Sequence, residues 1–309
     1  MARTALTVVN IAVSIGLIAW VLSGLSLSEL VIAATTANAG LLVLALSLHG
    51  TGLLLSAMRW ATLLNIQKID FSFKATVLLY WVGCFFNAFL PTSVGGDVVR
   101  SYLASKHNGK IMDTAISVIA ERVAGVAALM ILFSIGVIWL HFFGAEQSFW
   151  KLAGLSSAGF IGAGCVSSGR KALWETALAR TELREKLRRI GAVLLTYKSH
   201  KRKLWRILIL SLLLQINVIV YYYIIAAALG IQLSFFYFCL FIPPILILTM
   251  LPVSVGGVGV REAAFLFFFV PLGITPAEIV SLSLWSYILA LLFNLSGGLV
   301  YCFYQPASR

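Results

Sequence analysis

The sequence predicts an all-α polytopic membrane protein with about six full transmembrane helices and two broken, re-entrant hairpins in an inverted-topology repeat. Three observations support this fold class. The 309 residues are 61% hydrophobic and only 11% charged, whereas soluble domains carry roughly a quarter charged residues. Several apolar stretches are long enough to cross a bilayer. An eleven-residue segment that contains helix breakers also occurs twice.

The unbroken apolar stretches predict six spans. They cover residues 5–25, 40–60, 113–140, 153–169, 206–229 and 277–303. The first follows Arg3 and continues for about 20 residues without a clear cleavage site, which favours an uncleaved helix over a signal peptide. The fourth is the weakest, because five glycines interrupt its apolar character. Two further stretches, near 75–104 and 237–270, contain the repeated segment.

The repeated segment interrupts both of those stretches. Residues 90–100 read LPTSVGGDVVR and residues 251–261 read LPVSVGGVGVR, so eight of eleven positions are identical at an offset of 161. Pro91 and Pro252 stop the incoming helix because proline lacks the amide donor. Lipid cannot satisfy the freed backbone groups, so each break must be buried in protein or line a wet cavity. Paired broken helices of this kind indicate a transport site.

The charges of the loops predict the topology. If the first broken stretch crossed the membrane, the segment 170–206 would lie outside the cell with twelve Lys or Arg and only three Glu. That arrangement violates the positive-inside rule. A re-entrant first hairpin places these charges and both chain termini in the cytoplasm, and the second hairpin then enters from the opposite face. The chain therefore divides into repeats 1–152 and 153–309.

The segment 170–203 is the only extended polar part of the chain. Its apolar positions recur at spacings of mostly three to five, and basic residues occupy much of the remainder. This pattern is typical of a basic amphipathic helix that binds anionic lipids of the inner leaflet. A simpler interpretation, compatible with the first, is that it connects the two repeats. The net charge of +12 is explained by such cytoplasmic segments and does not indicate nucleic-acid binding.

Each break carries the parts of an anion site. Glycine pairs permit backbone conformations that other residues cannot adopt, and the half-helix that follows begins with unpaired amides and a favourable dipole. An arginine about one turn later adds a positive charge, and a serine offers a hydroxyl donor. The candidate residues are Ser93, Gly95, Gly96 and Arg100 in the first break and Ser254, Gly256, Gly257 and Arg261 in the second. Two such sites facing each other would suit a phosphate-bearing headgroup.

Structural roles for these charges remain open. Arg100 could extend to the membrane interface. Asp97 is placed to cap the second half-helix or to pair with Arg100 three residues later. Glu262 could neutralise Arg261 beside it.

Glu121 and Arg122 lie about eight residues into a predicted span. A charge at membrane depth costs about 2.5 kcal/mol or more, so it needs a partner. Neighbours on a helix point in different directions, and therefore each needs a partner elsewhere. The candidates are Asp97 or Glu262 for Arg122, and Arg59, Arg100 or Arg261 for Glu121. The pairs could be static or could exchange partners as a gate.

Signals of catalysis are absent from the sequence. The four cysteines are scattered, the four histidines form no metal-ligand pair, and no nucleophile elbow or nucleotide-binding loop is present. We therefore expect no enzymatic activity, no metal and no cofactor. Any transport would be passive or driven by an ion or proton gradient.

The motifs NAFLPTSVGGDVVR, ERVAG and LPVSVGGVGVRE resemble the lysylphosphatidylglycerol synthase/flippase transmembrane family. That family includes the membrane half of the multiple peptide resistance factor proteins and stand-alone membrane proteins. The resemblance covers nearly the whole chain and implies a flippase-like protein of the bacterial inner membrane. The matching positions are Pro91, Gly95, Gly96, Asp97, Arg100, Glu121, Arg122, Pro252, Gly256, Gly257, Arg261 and Glu262.

The resemblance does not extend to a synthase. Members with synthase activity carry a cytosolic aminoacyl-transferase domain, whereas this sequence stops at Arg309, shortly after the last predicted span. We expect a flippase for an anionic phospholipid or a polyprenyl-phosphate-type lipid. The alternatives are a channel or small-solute transporter, an intramembrane enzyme acting on a lipid-linked substrate, and a non-transporting membrane partner of a lipid or glycan synthase.

Overall fold

A computed structural model describes residues 35–89, 95–143, 200–250, 254 and 257–303. Within these residues all regular elements are helices, which confirms the all-helical class. The predicted spans 5–25 and 153–169 lie outside the described residues, as does the basic segment 170–203 except for its last four positions. Pro91, Ser93, Pro252 and Gly256 are outside them as well.

The described residues form eight α-helices. They are α1 (Ala39–Ile66), α2 (Phe73–Phe89), α3 (Gly95–Asn108), α4 (Ile111–Phe143), α5 (Lys201–Ala228), α6 (Phe235–Met250), α7 (Val260–Phe269) and α8 (Pro276–Phe303). A 3-10 turn, Val270–Leu272, follows α7. Four of the helices, α1, α4, α5 and α8, are long and apolar enough to cross a membrane. They coincide with four of the predicted spans, so the chain is a multi-pass membrane protein.

Helices α2 and α3 form an antiparallel hairpin around the first repeated segment. Gly83 of α2 lies against Gly96 and Arg100 of α3, and Leu79 shares a core cluster with Ala104. Because later positions on α2 meet earlier positions on α3, the chain turns back on itself. The helices have 17 and 14 residues, at or below the lower limit of about 17 for a membrane span.

Helices α6 and α7 form the corresponding hairpin around the second repeated segment. The ring of Phe241 stacks on that of Phe268 at a centroid distance of 5.2 Å, and Gly257 lies against Thr249. These pairs again show antiparallel packing. Both predicted hairpins are therefore present as helical hairpins, at the positions where the sequence placed the breaks.

Glycine is required at both turns for different reasons. A Cβ atom on Gly96 would lie 1.9 Å from the carbonyl oxygen of Gly83, so no side chain fits between α2 and α3 there. Gly257 has a φ of +80°, a left-handed conformation that residues with a Cβ atom rarely adopt.

Helices α1 and α5 pack against each other in antiparallel directions. The amide of Asn38 donates to the carbonyl of Ala228 at 2.8 Å. Near the middle, the hydroxyl of Thr51 donates to Oδ1 of Asn217 at 2.7 Å. At the other end, Lys203 Nζ donates to Oδ1 of Asn65 at 2.6 Å. The start of each helix therefore lies beside the end of the other.

Each helix of the first half has a counterpart in the second half: α5 for α1, α6 for α2, α7 for α3 and α8 for α4. Wherever two helices make a principal contact, their two counterparts are also in contact. Gly136 of α4 packs so closely on α6 that an added Cβ atom would lie 2.9 Å from the Cα atom of Leu240. Gly297 of α8 packs on α2, where an added Cβ atom would lie 2.5 Å from the carbonyl oxygen of Trp81. These two glycines are 161 residues apart, since 297 − 136 = 161, which is the offset of the repeated segment.

Apart from Arg59, Arg100, Arg122 and Arg261, which lie within the bundle, the Lys and Arg residues of the described chain lie at one end, which we call the basic end. There Leu63, Ile66, Ile116 and Ile207 form one cluster that joins the end of α1 to the starts of α4 and α5. Its Lys and Arg residues are Lys68, Lys74, Lys106, Lys110, Lys201, Arg202, Lys203 and Arg206. The described residues at the other end, which we call the opposite end, include no Lys or Arg across 35–45, 134–143, 220–238 and 266–280.

Candidate functional site

Glu121 joins four helices through a buried charge cluster. Its Oε1 atom accepts hydrogen bonds from Arg59 Nη2 on α1 at 2.8 Å and from the Tyr80 hydroxyl on α2 at 2.9 Å. Its Oε2 atom accepts from Arg100 Nη2 on α3 at 2.6 Å. Glu121 is only 1% exposed. Two of the partners expected for Glu121 are thus confirmed, and Arg261 is not a partner.

Asp97 extends the cluster to Arg122. Its Oδ1 atom accepts from Arg100 Nε at 3.0 Å, and its Oδ2 atom accepts from Arg122 Nη2 at 2.6 Å. The expected pairs Asp97–Arg100 and Asp97–Arg122 are therefore both confirmed. We refer to Arg59, Asp97, Arg100, Glu121 and Arg122 together as the first charge cluster.

Asn87 of α2 binds the start of α3. Its Oδ1 atom accepts a hydrogen bond at 2.8 Å from the amide of Gly96, at the start of α3. The side chain that accepts a hydrogen bond from this amide is therefore Asn87 and not the expected Asp97. Both carboxylate oxygens of Asp97 accept from arginines instead. One of the amides expected to bind an anion is consequently used within the protein.

Arg100 is held inside the bundle. It is 2% exposed, and its guanidinium carbon lies 4.6 Å from the ring centre of Trp60 and 4.2 Å from that of Tyr80. Such cation–π contacts add to the two carboxylates that compensate its charge. The interpretation that Arg100 extends to the membrane interface is therefore wrong.

A second, smaller charge cluster lies at the start of α7. Arg261 Nη2 is 2.8 Å from Glu262 Oε1, and the Ser283 hydroxyl on α8 donates to the same oxygen at 2.8 Å. Glu262 Oε2 accepts from the amide of Gly259 at 2.7 Å, as in a capping box. The expected neutralisation of Arg261 by Glu262 is confirmed. Arg261 is the second residue of α7 and so lies within its first turn.

The two arginines occupy equivalent positions in different surroundings. At the offset of 161, Glu121 corresponds to Leu282, and Asp97 corresponds to Val258. The second half thus lacks the two acids that surround Arg100. The side chain of Arg261 is 17% exposed, against 3% for that of Arg100. Arg261 is therefore the more accessible of the two cations.

A central cavity of about 270 Å³ lies between α1, α2, α5, α7 and α8. Its polar lining includes His49, Tyr80, Asn217, Tyr221, Arg261 and Asn294. Arg261 faces the cavity from the second hairpin, and Tyr80 faces it from the first. Because the Tyr80 hydroxyl also donates to Glu121, this residue connects the cavity to the first charge cluster.

One polar atom in the cavity wall lacks a hydrogen bond. His49 Nε2 is buried without a partner among the described residues. Its ring stacks on Phe293 at a centroid distance of 5.4 Å and meets Tyr221 edge-on at 4.7 Å. Buried polar atoms of this kind call for water or a ligand.

The structure thus divides the predicted site residues. Gly95, Gly96, Asp97, Arg100, Glu121 and Arg122 belong to the first hairpin and its charge cluster, whereas Gly257, Arg261 and Glu262 belong to the second. The hydroxyl of Ser254 is buried and has no hydrogen-bond partner among the described residues. Among the predicted site residues that the structure describes, Arg261 is the one that lines the central cavity.

Sequence reasoning missed Tyr80 and Ser283. Ser283 could have been found, because it corresponds to Arg122 at the offset of 161. Tyr80 could not have been found in this way, because it lies in neither repeated segment and has a phenylalanine, Phe241, at the offset of 161. Within the described ranges, no group of three His, Cys, Asp or Glu residues could hold a metal ion.

Comparison with known families gives one assignment. A family model described as the lysylphosphatidylglycerol synthase TM region matches residues 7–298. Neither the curated proteins nor the solved structures give a match. The chain therefore belongs to the lysylphosphatidylglycerol synthase TM family, whose membrane domains are related to lipid synthesis or translocation.

Proposed function

We propose that this family member is a flippase of the bacterial inner membrane that moves a lipid with a phosphate headgroup between leaflets. Its substrate is an anionic phospholipid or a polyprenyl-phosphate-type lipid. The observation that carries this proposal is the position of Arg261, a cation that lines a central cavity in a multi-pass membrane protein. A cation at membrane depth is a functional site by default.

The depth of the charges supports this location. Ser283, which binds Arg261, lies seven residues into α8, or about 10 Å from the opposite end at 1.5 Å per residue. Glu121 lies ten residues into α4, or about 15 Å from the basic end. The two helices have 28 and 33 residues, so each is longer than a hydrocarbon core about 30 Å thick. If each helix is centred in the core, the clusters lie about 5 Å inside it, one in each half.

An inverted-topology repeat is part of the proposal. The antiparallel packing of α1 and α5 supports it, because equivalent helices run in opposite directions in such a repeat. The exchanged contacts of Gly136 with α6 and of Gly297 with α2 support it as well. The α2–α3 hairpin starts and ends at the basic end, and the α6–α7 hairpin starts and ends at the opposite end. Both are then re-entrant, from opposite faces.

The orientation follows from the charge asymmetry. The positive-inside rule places the basic end in the cytoplasm. Together with the spans predicted at 5–25 and 153–169, this orientation gives six full spans and puts both termini in the cytoplasm. We assign the basic segment 170–203 to the inner leaflet, where anionic lipids would be its partners.

The two arginines take different roles. Arg261 holds the phosphate from the second hairpin, and the ring nitrogen of His49 on α1 that is unpaired in the described chain offers a further hydrogen bond. Arg100 does not line the cavity; its two carboxylate partners favour a static role in positioning the first hairpin. Acyl chains stay in lipid, so only the headgroup crosses through protein. Transport then proceeds without covalent change to the lipid, and needs no metal or cofactor.

A reconstitution assay tests this function. Purified protein is placed in liposomes that carry a fluorescent anionic phospholipid, and an impermeant reductant quenches the outer leaflet. We expect quenching to continue beyond the outer-leaflet fraction with the protein, and to stop there without it. Identical quenching with and without folded protein would refute translocation.

Two further readouts address the alternatives. Single-channel currents from the same preparation would identify a channel. A lipid product of changed mass after incubation would identify an enzyme. We expect neither.

A further inference from the structure

A second cavity lies at the basic end, apart from the central one. It has a volume of about 460 Å³ and is lined by the last turns of α1, the loop to α2, Phe73 of α2 and the start of α5. The two cavities share no lining residue. We call it the basic crevice.

Two cations of α5 face the basic crevice. Lys203 is fixed at its rim because Nζ donates to Asn65 Oδ1 at 2.6 Å. Arg206 lies three residues later, on the same side of the helix, and is exposed. Asp70 is the acid in the lining, and it forms no ion pair with either cation in the described chain. The crevice is therefore net positive.

The opposite half contains an uncharged counterpart. At the offset of 161, residues 62–72 correspond to 223–233, and those residues line a cavity of about 390 Å³ at the opposite end. The positions equivalent to Lys203 and Arg206 are Leu42 and Ala45, both buried and apolar. A cavity therefore lies at each of the two equivalent loops, and the one at the opposite end is lined by no cation of the described chain. The two cations are an addition specific to the basic end.

The surroundings of the crevice suit a lipid rather than a soluble ion. Trp205, next to the crevice residue Arg206 in sequence, is 66% exposed, and tryptophan is enriched at the level of membrane headgroups. Phe73, which lines the crevice and is 49% exposed, offers an apolar surface to a lipid. A volume of about 460 Å³ lies in the range of about 300–1,000 Å³ typical of small-ligand sites. Basic pockets between transmembrane helices on the cytoplasmic side bind anionic headgroups.

We propose that the basic crevice binds the phosphate of an anionic glycerophospholipid from the adjoining leaflet, between Lys203 and Arg206. Asp70, across the crevice, accepts hydrogen bonds from hydroxyl or amine groups of the headgroup and disfavours a second phosphate. The site is independent of translocation, because none of its residues lines the central cavity.

Binding of lipids to the purified full chain tests the proposal. Native mass spectrometry in detergent counts bound phosphatidylglycerol and phosphatidylcholine on the wild type and two variants. Lys203→Ala/Arg206→Ala removes the crevice cations. Lys201→Ala/Arg202→Ala is the matched control, because it removes two exposed cations from the same helix start that do not line the crevice.

We expect the crevice variant to bind phosphatidylglycerol at least about a hundredfold more weakly, because two cations lose charge-assisted hydrogen bonds to one phosphate. The control should change this affinity less than about threefold, because exposed cations that do not contact the lipid are screened by solvent and salt. Phosphatidylcholine binding should be unaffected in both. Equal weakening in the two variants would show general surface attraction and overturn the proposal.

Two further arms complete the test. Ala61→Phe fills the crevice without changing its charge and should also remove the bound lipid; retention of the lipid would contradict the site, even if the double variant fails to fold. Inorganic phosphate should not displace the lipid at equal concentration, and displacement would assign the crevice to a free anion instead. A failed translocation assay leaves these results unchanged, so the two proposals fail separately.

Discussion

The carboxylate of Glu121 on α4 lies 2.6 Å from the guanidinium of Arg100 on α3, with both side chains almost fully buried. This pair fixes the first hairpin to a membrane-spanning helix. Arg100 also donates to Asp97, so removing it takes a charge-assisted hydrogen bond from each of two carboxylates, at about 1.5–3 kcal/mol per bond. Arg100 therefore stabilises the fold, whereas Arg261, which lines the central cavity, is placed to bind a ligand.

Arg100→Ala should lower the free energy of unfolding by about 3–5 kcal/mol, because Glu121 and Asp97 each lose a buried charge-assisted hydrogen bond. Glu121 keeps Arg59 as its cationic partner. Thermal unfolding in detergent measures the loss. Arg122→Ala is the control: Asp97 keeps Arg100, and the Arg122 side chain is 36% exposed, so the loss should be about 1 kcal/mol or less. Equal stability of wild type and Arg100→Ala would argue against a structural role for the cluster.

Arg261→Ala should slow lipid translocation at least about tenfold, the effect of losing one charge-assisted hydrogen bond of about 1.5–3 kcal/mol to the phosphate. The fold should persist, because Glu262 keeps its bonds to Ser283 and to the amide of Gly259. Initial rates in proteoliposomes provide the measurement. Arg261→Lys, which retains the charge, should recover part of the rate; an unchanged rate in the alanine variant would exclude Arg261 from substrate binding.

Gly96→Ala should destabilise the protein by about 1–3 kcal/mol or more, because the new methyl group overlaps the carbonyl of Gly83 and separates α2 from α3. Gly50→Ala is a suitable control, since its added Cβ atom meets nothing within 4 Å. That change should be neutral or stabilising by up to about 1 kcal/mol, as alanine favours a helix. Comparison of the two unfolding midpoints tests the close packing of the hairpin.

Cysteines at positions 74 and 106 should react with an impermeant thiol reagent from the same side of the membrane, and a cysteine at position 232 from the other side. All three native residues, Lys74, Lys106 and Gln232, are exposed, so substitution in a background without native cysteines should preserve the fold. Labelling in right-side-out and inverted vesicles gives the sidedness. Reaction of positions 74 and 106 from different sides would refute the re-entrant first hairpin.

Much of the fold could be predicted because its signals are local. Long apolar stretches gave the spans of α1, α4, α5 and α8, and the proline and glycine pairs gave the two turns. The pair Asp97–Arg100 was also accessible, because three residues separate its members on one helix.

The partners of Glu121 could only be narrowed to a short set. Tertiary packing, and not spacing along the chain, brings Arg59 and Tyr80 to its carboxylate. The central cavity and the basic crevice were likewise beyond sequence reasoning, since each is the space left between helices distant in sequence. His49, for example, resembles any interhelical hydrogen-bonding residue until its unpaired nitrogen is located.

The two hairpins, built on one repeated pattern, are attached with unequal strength. Ion pairs to α4 hold the α2–α3 arm, through Arg100 with Glu121 and Asp97 with Arg122. In the described part of the α6–α7 arm, the ion pair between Arg261 and Glu262 is internal to α7, and Ser283 supplies only hydrogen bonds. Displacing the second arm therefore separates no opposite charges in the described chain. Moving the α6–α7 hairpin relative to α8 therefore has a lower electrostatic cost than moving the α2–α3 hairpin relative to α4.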